Sequence, residues 1–65
     1  MLEVIKTGES KYGYWVYGVL KFGILEIKNV FSVNRKVLDT EKTLKPLKIY
    51  VNHSDKGILR FRIDL

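Results

Sequence analysis

The chain has 65 residues, no cysteine and a formal net charge of +5. This length predicts one small domain over residues 1–65, and 46% hydrophobic residues beside 29% charged residues exclude a disordered chain. The lack of cysteine excludes a disulfide framework and a thiolate metal site, while no apolar run has the length of a membrane span. We therefore expect a cytoplasmic protein that needs no cofactor and whose charge favours anionic partners.

The first half of the chain predicts three strands. Residues Leu2–Thr7 alternate in the manner of a short first strand, and Gly8–Lys11 reads as a polar loop. The stretch that follows, KYGYWVYGVLKFGILEIKNVFSVN (residues 11–34), is rich in β-branched and aromatic side chains. It predicts a long hairpin with strands near 12–21 and 24–34.

The turn of this hairpin is predicted at Phe22 and Gly23, and this position decides the register. On the face that should form the core, the pairs are Tyr12–Val33, Tyr14–Phe31, Gly18–Ile27 and Leu20–Leu25. The opposite face then carries Trp15, Tyr17, Val19, Lys21, Glu26, Lys28 and Val30. A slip by one residue would move every side chain to the other face, and the polar Asn29 on the core face would mark a bulge.

After the hairpin the chain changes character. Residues Arg35–Lys45 combine helix formers with apolar positions at helical spacing, which predicts a short helix or an ordered loop that ends before Pro46. The segments Leu47–Asn52 and Ile58–Leu65 then predict a second hairpin around the polar loop His53–Gly57.

A five-residue loop gives the second hairpin a core face and a charged face. The core-face pairs are Val51–Leu59, Ile49–Phe61 and Leu47–Ile63, and the outer pairs are Tyr50–Arg60 and Lys48–Arg62. Together the two registers predict a common core formed by Tyr14, Leu20, Ile27, Phe31, Ile49, Val51, Phe61 and Ile63.

This order of elements predicts an all-β fold, or a β-rich fold with one short helix, built from five short antiparallel strands. A closed barrel of the OB or SH3-like kind is the simplest compact arrangement, because closure leaves no sheet edge exposed. An open sheet that forms a homodimer is the alternative, since a chain this short buries little of its surface alone.

Eight outward residues combine aromatic rings with cations: Trp15, Tyr17, Lys21, Lys28, Lys48, Tyr50, Arg60 and Arg62. Bases of a single strand stack on aromatic rings, while Lys and Arg contact phosphates. Lys48 opposite Arg62 would also repel in the free protein, and a bound anion would relieve this repulsion. The pattern predicts a small non-enzymatic module that binds nucleic acid, with single-stranded DNA or RNA favoured over a duplex.

Two alternatives stay open at this point. Trp15 and Tyr17 could pack beneath Val37, Leu38 and Leu44 as a second small core, with the cations forming a solvated face. The module could also bind a protein, as an inhibitor or assembly factor, through a strand edge or the aromatic patch. An enzyme is not predicted, because the acidic residues form no carboxylate pair and the serines lie in no nucleophile motif.

The segments GVLKFGILEIKNVFSV (residues 18–33) and PLKIYVNHSDKGILRFRIDL (residues 46–65) resemble the β region of the stage V sporulation protein G family (SpoVG). The resemblance lies in the hydrophobic pattern of these segments. It implies a β-sheet dimer that binds DNA. The chain departs from the family in its longer Arg35–Lys45 segment, and residues 1–65 include no counterpart of the C-terminal helix that carries DNA contacts in the family.

Overall fold

The computed structural model describes residues 1–65, and every regular element in it is a strand. The prediction of an all-β fold is therefore confirmed, while the alternative of a short helix within Arg35–Lys45 is wrong. No helix is present that has the length and apolar character needed to cross a membrane. The six strands are β1 (Leu2–Ser10), β2 (Gly13–Phe22), β3 (Leu25–Val33), β4 (Thr43–Leu44), β5 (Lys48–His53) and β6 (Leu59–Asp64).

The strands form a single sheet in the order β4-β1-β2-β3-β6-β5. Neighbouring strands run antiparallel, except that β3 and β6 are parallel. The predicted five antiparallel strands thus become six strands with one parallel pair. This pair arises because the chain leaves β3, passes through β4 and β5 at the two edges of the sheet, and returns beside β3.

The sheet is strongly curled, because its two edge strands are consecutive in the chain. Only residues 45–47 connect β4 to β5. Four extended Cα–Cα steps reach at most about 14 Å, whereas the edges of a flat six-stranded sheet lie about 24 Å apart. The sheet therefore forms a half-barrel, which confirms the prediction of a small barrel-like fold, and the core lies on its concave face.

The turn between β2 and β3 lies at Gly23 and Ile24, one residue later than predicted. Of the two turn residues only Gly23 has a positive φ, which is 61°, as in two-residue turns with glycine at the first central position. Moving the turn by one residue changes every cross-strand partner by two, so Tyr14 pairs with Val33 and not with Phe31. Since side chains alternate with a period of two, each residue keeps its predicted face.

Strand β1 pairs with β2 along its whole length and contains a bulge. The register shifts between Val4 and Lys6, so Ile5 has no partner in β2. The predicted bulge at Asn29 is wrong, because the pairing of β2 with β3 is regular through that residue. The bulge at Ile5 inverts the alternation of β1 and brings Lys6 to the face opposite the core, where its partner is Tyr17.

The polar segment before β2 belongs to a tight hairpin. Ser10 pairs with Gly13, so the connection between β1 and β2 is Lys11–Tyr12 and not the longer loop predicted from Gly8. The Ser10 hydroxyl accepts the backbone N–H of Tyr12 at 3.2 Å and thereby holds the turn. Tyr12 is 87% exposed at this position, which overturns its predicted place in the core.

The segment between β3 and β4 is an ordered loop that covers the core. The Arg35 guanidinium donates to both Glu41 carboxylate oxygens at 3.2 and 3.0 Å, and Glu41 Oε2 also accepts the backbone N–H of Leu38 at 2.8 Å. These bonds shape the loop so that Val37 and Leu44 are buried in the core. Packing therefore overrides the helix propensity of the segment, because propensity is a weak preference that tertiary contacts outweigh.

The second hairpin has the predicted loop length, but its loop begins one residue later. The loop is Ser54–Ile58, and it is closed by a 3.0 Å backbone bond from the N–H of its first residue to the carbonyl of its last. As in the first hairpin, the partners change by two and the faces are kept, so Tyr50 pairs with Arg62 and Lys48 pairs with Asp64. The predicted pair of Lys48 with Arg62 is wrong, so these two cations do not face each other across the strand pair.

The core confirms most of the predicted set and extends it. Phe31 and Phe61 pack with their ring centroids 5.6 Å apart. Val51 is 54% exposed and Leu47 is 80% exposed, so their predicted burial is wrong, because β5 is an edge strand and Leu47 precedes it. The buried hydrophobic residues are Leu2, Val16, Leu20, Phe31, Val33, Val37, Leu44, Phe61 and Ile63, with Tyr14, Ile27 and Ile49 half-buried against them.

Candidate nucleic-acid interface

The face of the sheet opposite the core, here called the outer face, carries every residue of the predicted binding set. The core side chains are even-numbered in β2 and odd-numbered in β3, β5 and β6, so the alternate residues of these strands lie on the outer face. These alternate residues include Trp15, Tyr17 and Lys21 of β2, Lys28 of β3, Lys48 and Tyr50 of β5, and Arg60 and Arg62 of β6.

One row of outer-face residues crosses five strands of the sheet. It runs from Gly8 in β1 through Trp15, Ser32 and Arg62 to Tyr50 in β5, and each residue is paired with the next. Because neighbouring strands lie about 4.8 Å apart, the backbones of Trp15 and Arg62 are about 10 Å apart and those of Trp15 and Tyr50 about 14 Å apart. A ring, a guanidinium and a second ring therefore follow one line across the face.

Trp15 is half-buried because its indole lies across Gly8 of the neighbouring strand. A Cβ at Gly8 would collide with the indole atoms Cζ2 and Cε2, so a glycine is required for this contact. The indole is thereby held by β1 while part of its surface remains accessible to solvent. The alternative second core with Val37, Leu38 and Leu44 is wrong, because Val37 and Leu44 belong to the core on the opposite face.

Two outer-face tyrosines each have a lysine above the ring. Lys28 Nζ lies 5.8 Å from the ring centroid of Tyr17, and Lys48 Nζ lies 5.2 Å from that of Tyr50. The Tyr50 hydroxyl also donates to an Asp64 carboxylate oxygen at 3.2 Å, which orients the ring. Each site therefore presents a ring and a cation side by side.

The outer-face cations differ in how far they are already neutralised. Lys21 Nζ lies 2.9 Å from a Glu3 oxygen and 4.0 Å from a Glu26 oxygen. The hydrogen bond to Glu3, followed by the charge of Glu3, raises the pKa of Lys21 above its ordinary value. Arg62 Nε lies 3.5 Å from Asp64. Of the predicted set, Lys21 is therefore the residue least available to an anion.

Four outer-face cations have no carboxylate oxygen within 4.0 Å, and they are Lys6, Lys28, Lys48 and Arg60. Lys6 is absent from the predicted set, because regular alternation assigns it to the core face and only the bulge moves it. The sequence does carry a signal of the bulge, because the adjacent apolar residues Val4 and Ile5 interrupt the alternation of apolar and polar positions. No group of three His, Cys, Asp or Glu residues is arranged to hold a metal ion.

A cleft of about 370 Å³ opens on the outer face beside Trp15. Ring surface, hydroxyl groups and an unpaired guanidinium meet in it, which are the groups that contact a nucleobase and its phosphate. Tyr12 and Ser32 are absent from the predicted set, because Tyr12 was assigned to the core and Ser32 carries neither ring nor charge. The cleft is lined by Ser10, Tyr12, Trp15, Val30, Ser32 and Arg60.

Comparisons with other proteins do not assign a family to this chain. No protein-family model, no curated protein and no solved structure matches it. The resemblance of residues 18–33 and 46–65 to the SpoVG family therefore stays a prediction, as does the DNA-binding dimer that the resemblance implies.

Proposed function

We propose that the protein binds single-stranded nucleic acid on its outer face. The observation that carries the proposal is the row that joins Trp15 to Arg62 and Tyr50, together with the neighbouring cleft and its Arg60. Unstacked bases stack on such rings at about 1–3 kcal/mol each, while the cations contact the phosphates. The faces of bases in a duplex are covered by their neighbours, so the aromatic rings favour a single strand.

Within this face, Trp15 and Arg60 are expected to contribute most to binding. Trp15 lines the cleft and is already held against Gly8, so it loses little conformational freedom when a base stacks on it. Arg60 lines the same cleft and has no carboxylate partner. Arg62 contributes less, because the nearby Asp64 must be overcome before its charge is available to a phosphate.

The fluorescence of Trp15, the only tryptophan in the chain, measures binding directly. We expect it to change on titration with a single-stranded oligonucleotide and to change less with the duplex of the same sequence. Arg60→Ala should weaken binding about equally for all sequences and lower the slope of log K against log salt by about 0.7 for a single strand. Arg62→Ala should lower that slope by less, because Asp64 already neutralises part of its charge.

Trp15→Ala tests the stacking role separately from the charges. With a labelled oligonucleotide, we expect a loss of about 1–3 kcal/mol and an unchanged salt slope, since no cation is removed. Lys45→Ala is the matched control for the cations, because exposed Lys45 lies in the connection from β4 to β5 and outside the predicted set. Melting curves establish that each variant folds, and wild-type affinity in folded Trp15→Ala with an unchanged Arg60→Ala slope would exclude the outer face.

Binding of a protein partner is the second candidate function, and the free edge of β5 favours it. Strand β5 pairs with β6 alone, so the backbone from Lys48 to His53 is free on its other side. Exposed Val51 adds apolar surface to this strand, and an extended segment of another protein could pair with it. Oligonucleotide binding that is absent or insensitive to salt in the titration above would favour this function.

A further inference from the structure

Strand β3 has one half with neighbours on both sides and one half with a free edge. Phe31–Val33 pairs with β2 and with β6, whereas Leu25–Val30 pairs with β2 alone. The free half carries exposed apolar side chains at both of its ends, and the turn before it presents the fully exposed Ile24. An edge of this kind is a template for pairing with another strand.

The direction of the backbone groups on this edge follows from the turn and from one hydrogen bond. In the two-residue turn the N–H of Leu25 faces β2, and so do the N–H and C=O groups of every second residue after it. The residues between them direct theirs away from β2, so the backbone groups of Glu26 and Lys28 face the free edge, while Val30 lies where β6 begins to pair. The Val30 N–H agrees with this alternation, since it donates to the side-chain Oδ1 of Asn29 at 2.7 Å.

Charge selects one register for a second copy of β3 on this edge. In an antiparallel pair across a two-fold axis, residues that face the edge oppose residues that face the edge. A two-fold axis at Glu26 or at Lys28 places that residue opposite its own copy and brings like charges together, which is unfavourable. An axis at Asn29 places Lys28 opposite Val30, so no charge pair forms. With the axis at Ile27, Glu26 of each copy lies opposite Lys28 of the other, and the interface gains two opposite-charge pairs.

The same register covers exposed apolar residues and fits the length of the free edge. It sets Ile24 opposite Val30 of the second copy and Leu25 opposite Asn29 of the second copy. The turn of the second copy then reaches only as far as Val30, directly before β6 begins to pair at Phe31. The two copies can therefore pair over Leu25–Asn29, which ends before the part of β3 that bonds to β6. The free edge of β5 has no comparable pattern, because its residues include no carboxylate.

We propose that the protein forms a homodimer in which the free edges of β3 pair antiparallel about Ile27, with Glu26 of each copy opposite Lys28 of the other. The two-fold axis of this pair is perpendicular to the sheet, so the outer faces of both copies lie on the same side of one continuous sheet. The proposal rests on the edge, its charges and its apolar residues, and Lys28 is the one residue that it shares with the proposed nucleic-acid set. If both hold, the dimer presents two Trp15 rows on one surface.

An exchange of charges across the interface tests this register. Sedimentation of the wild type at low salt over a concentration series should show a species of twice the 7.6 kDa chain mass. Glu26→Lys and Lys28→Glu should each raise the dissociation constant about tenfold or more, because each converts both charge pairs to like charges. The double variant Glu26→Lys/Lys28→Glu should dimerise like the wild type, and an equimolar mixture of the two single variants should form a heterodimer.

A matched control separates the register from net charge. Lys36→Glu changes the charge by the same amount as Lys28→Glu, but exposed Lys36 lies in the loop after β3, so the dimer should persist. Glu26 and Lys28 are both exposed, and circular dichroism establishes that the variants fold. A wild type that stays monomeric throughout, single variants that dimerise like the wild type, or a double variant that fails to recover would each overturn the proposal.

Discussion

The two halves of β3 share one alternating sequence pattern and lie in opposite environments. In the half Phe31–Val33 the core-face side chains are buried, whereas Leu25 at the start of the other half is 60% exposed. The first half is flanked by β2 and β6, while the second is flanked by β2 alone. Burial along a strand is therefore decided by the elements beside and above it, and not by the hydrophobicity of its own residues.

The same contrast separates the two proposed activities. Ser32 of the paired half joins Trp15 to Arg62, so the candidate nucleic-acid row crosses β3 where the sheet has neighbours on both sides. A row held in this way is suited to binding, because its side chains are already positioned before a ligand arrives. The free half instead presents backbone groups and complementary charges, which suit pairing with another strand.

The largest expected effect comes from Phe61 of β6, which pairs with Phe31 in the half of β3 that has neighbours on both sides. Phe61→Ala removes a ring 5.6 Å from that of Phe31 and should lower the free energy of unfolding by about 3–5 kcal/mol, a large share of a small domain's stability. Leu25→Ala in the free half should cost only about 0.5–1 kcal/mol, because so much of that side chain is already in water. Denaturant unfolding measures both variants, and equal losses would contradict the difference between the halves.

A smaller effect is expected at the border of the two halves. Asn29 Oδ1 accepts the otherwise free N–H of Val30 at 2.7 Å. Asn29→Ala should cost about 0.5–1.5 kcal/mol and should speed amide hydrogen exchange at Val30 while leaving the amide of Phe31 protected. Asn29→Asp keeps an acceptor in place and serves as the control in the same exchange measurement. If Val30 exchanged equally slowly in Asn29→Ala, the side chain would not be what satisfies this edge.

The smallest expected effect concerns the loop that follows the paired half. Hydrogen bonds from Arg35 and from the Leu38 N–H lower the pKa of Glu41 below its ordinary value. A carboxyl with a lowered folded-state pKa stabilises the fold above its ordinary pKa, and this contribution is lost as the pH falls through the folded-state value.

The pH dependence of melting tests this loop. The wild type should melt above Glu41→Gln near pH 7, and the difference should shrink on acidification to about pH 3. Because both proteins share every other titrating group, the difference isolates Glu41. A gap in melting temperature that is the same at both ends of this range would show that the Arg35–Glu41 pair does not hold the loop over the core.

The eight predicted site residues share the outer face even though both predicted turns were one residue too early. The reason is arithmetic, since a turn shifted by one residue changes each partner by two, and two is the side-chain period of a strand. The particular cross-strand partners were less predictable: Lys48 is paired with Asp64 and not with Arg62, and Tyr50 is paired with Arg62 and not with Arg60. Face and register are thus separate pieces of information, and only the first survives such a shift.

The sequence by itself determined the all-β class, the two hairpins and the division into core face and outer face. These features follow from alternation, strand propensity and the turn glycines, which depend only on residues close in sequence. The tertiary structure alone decided the parallel pairing of β3 with β6, the burial of Val37, the bulge at Ile5 and the packing of Trp15 on Gly8. Each of these depends on a contact between segments distant in the chain. Their physical cause is the curl of the sheet and the packing of one segment on another, neither of which a local pattern records.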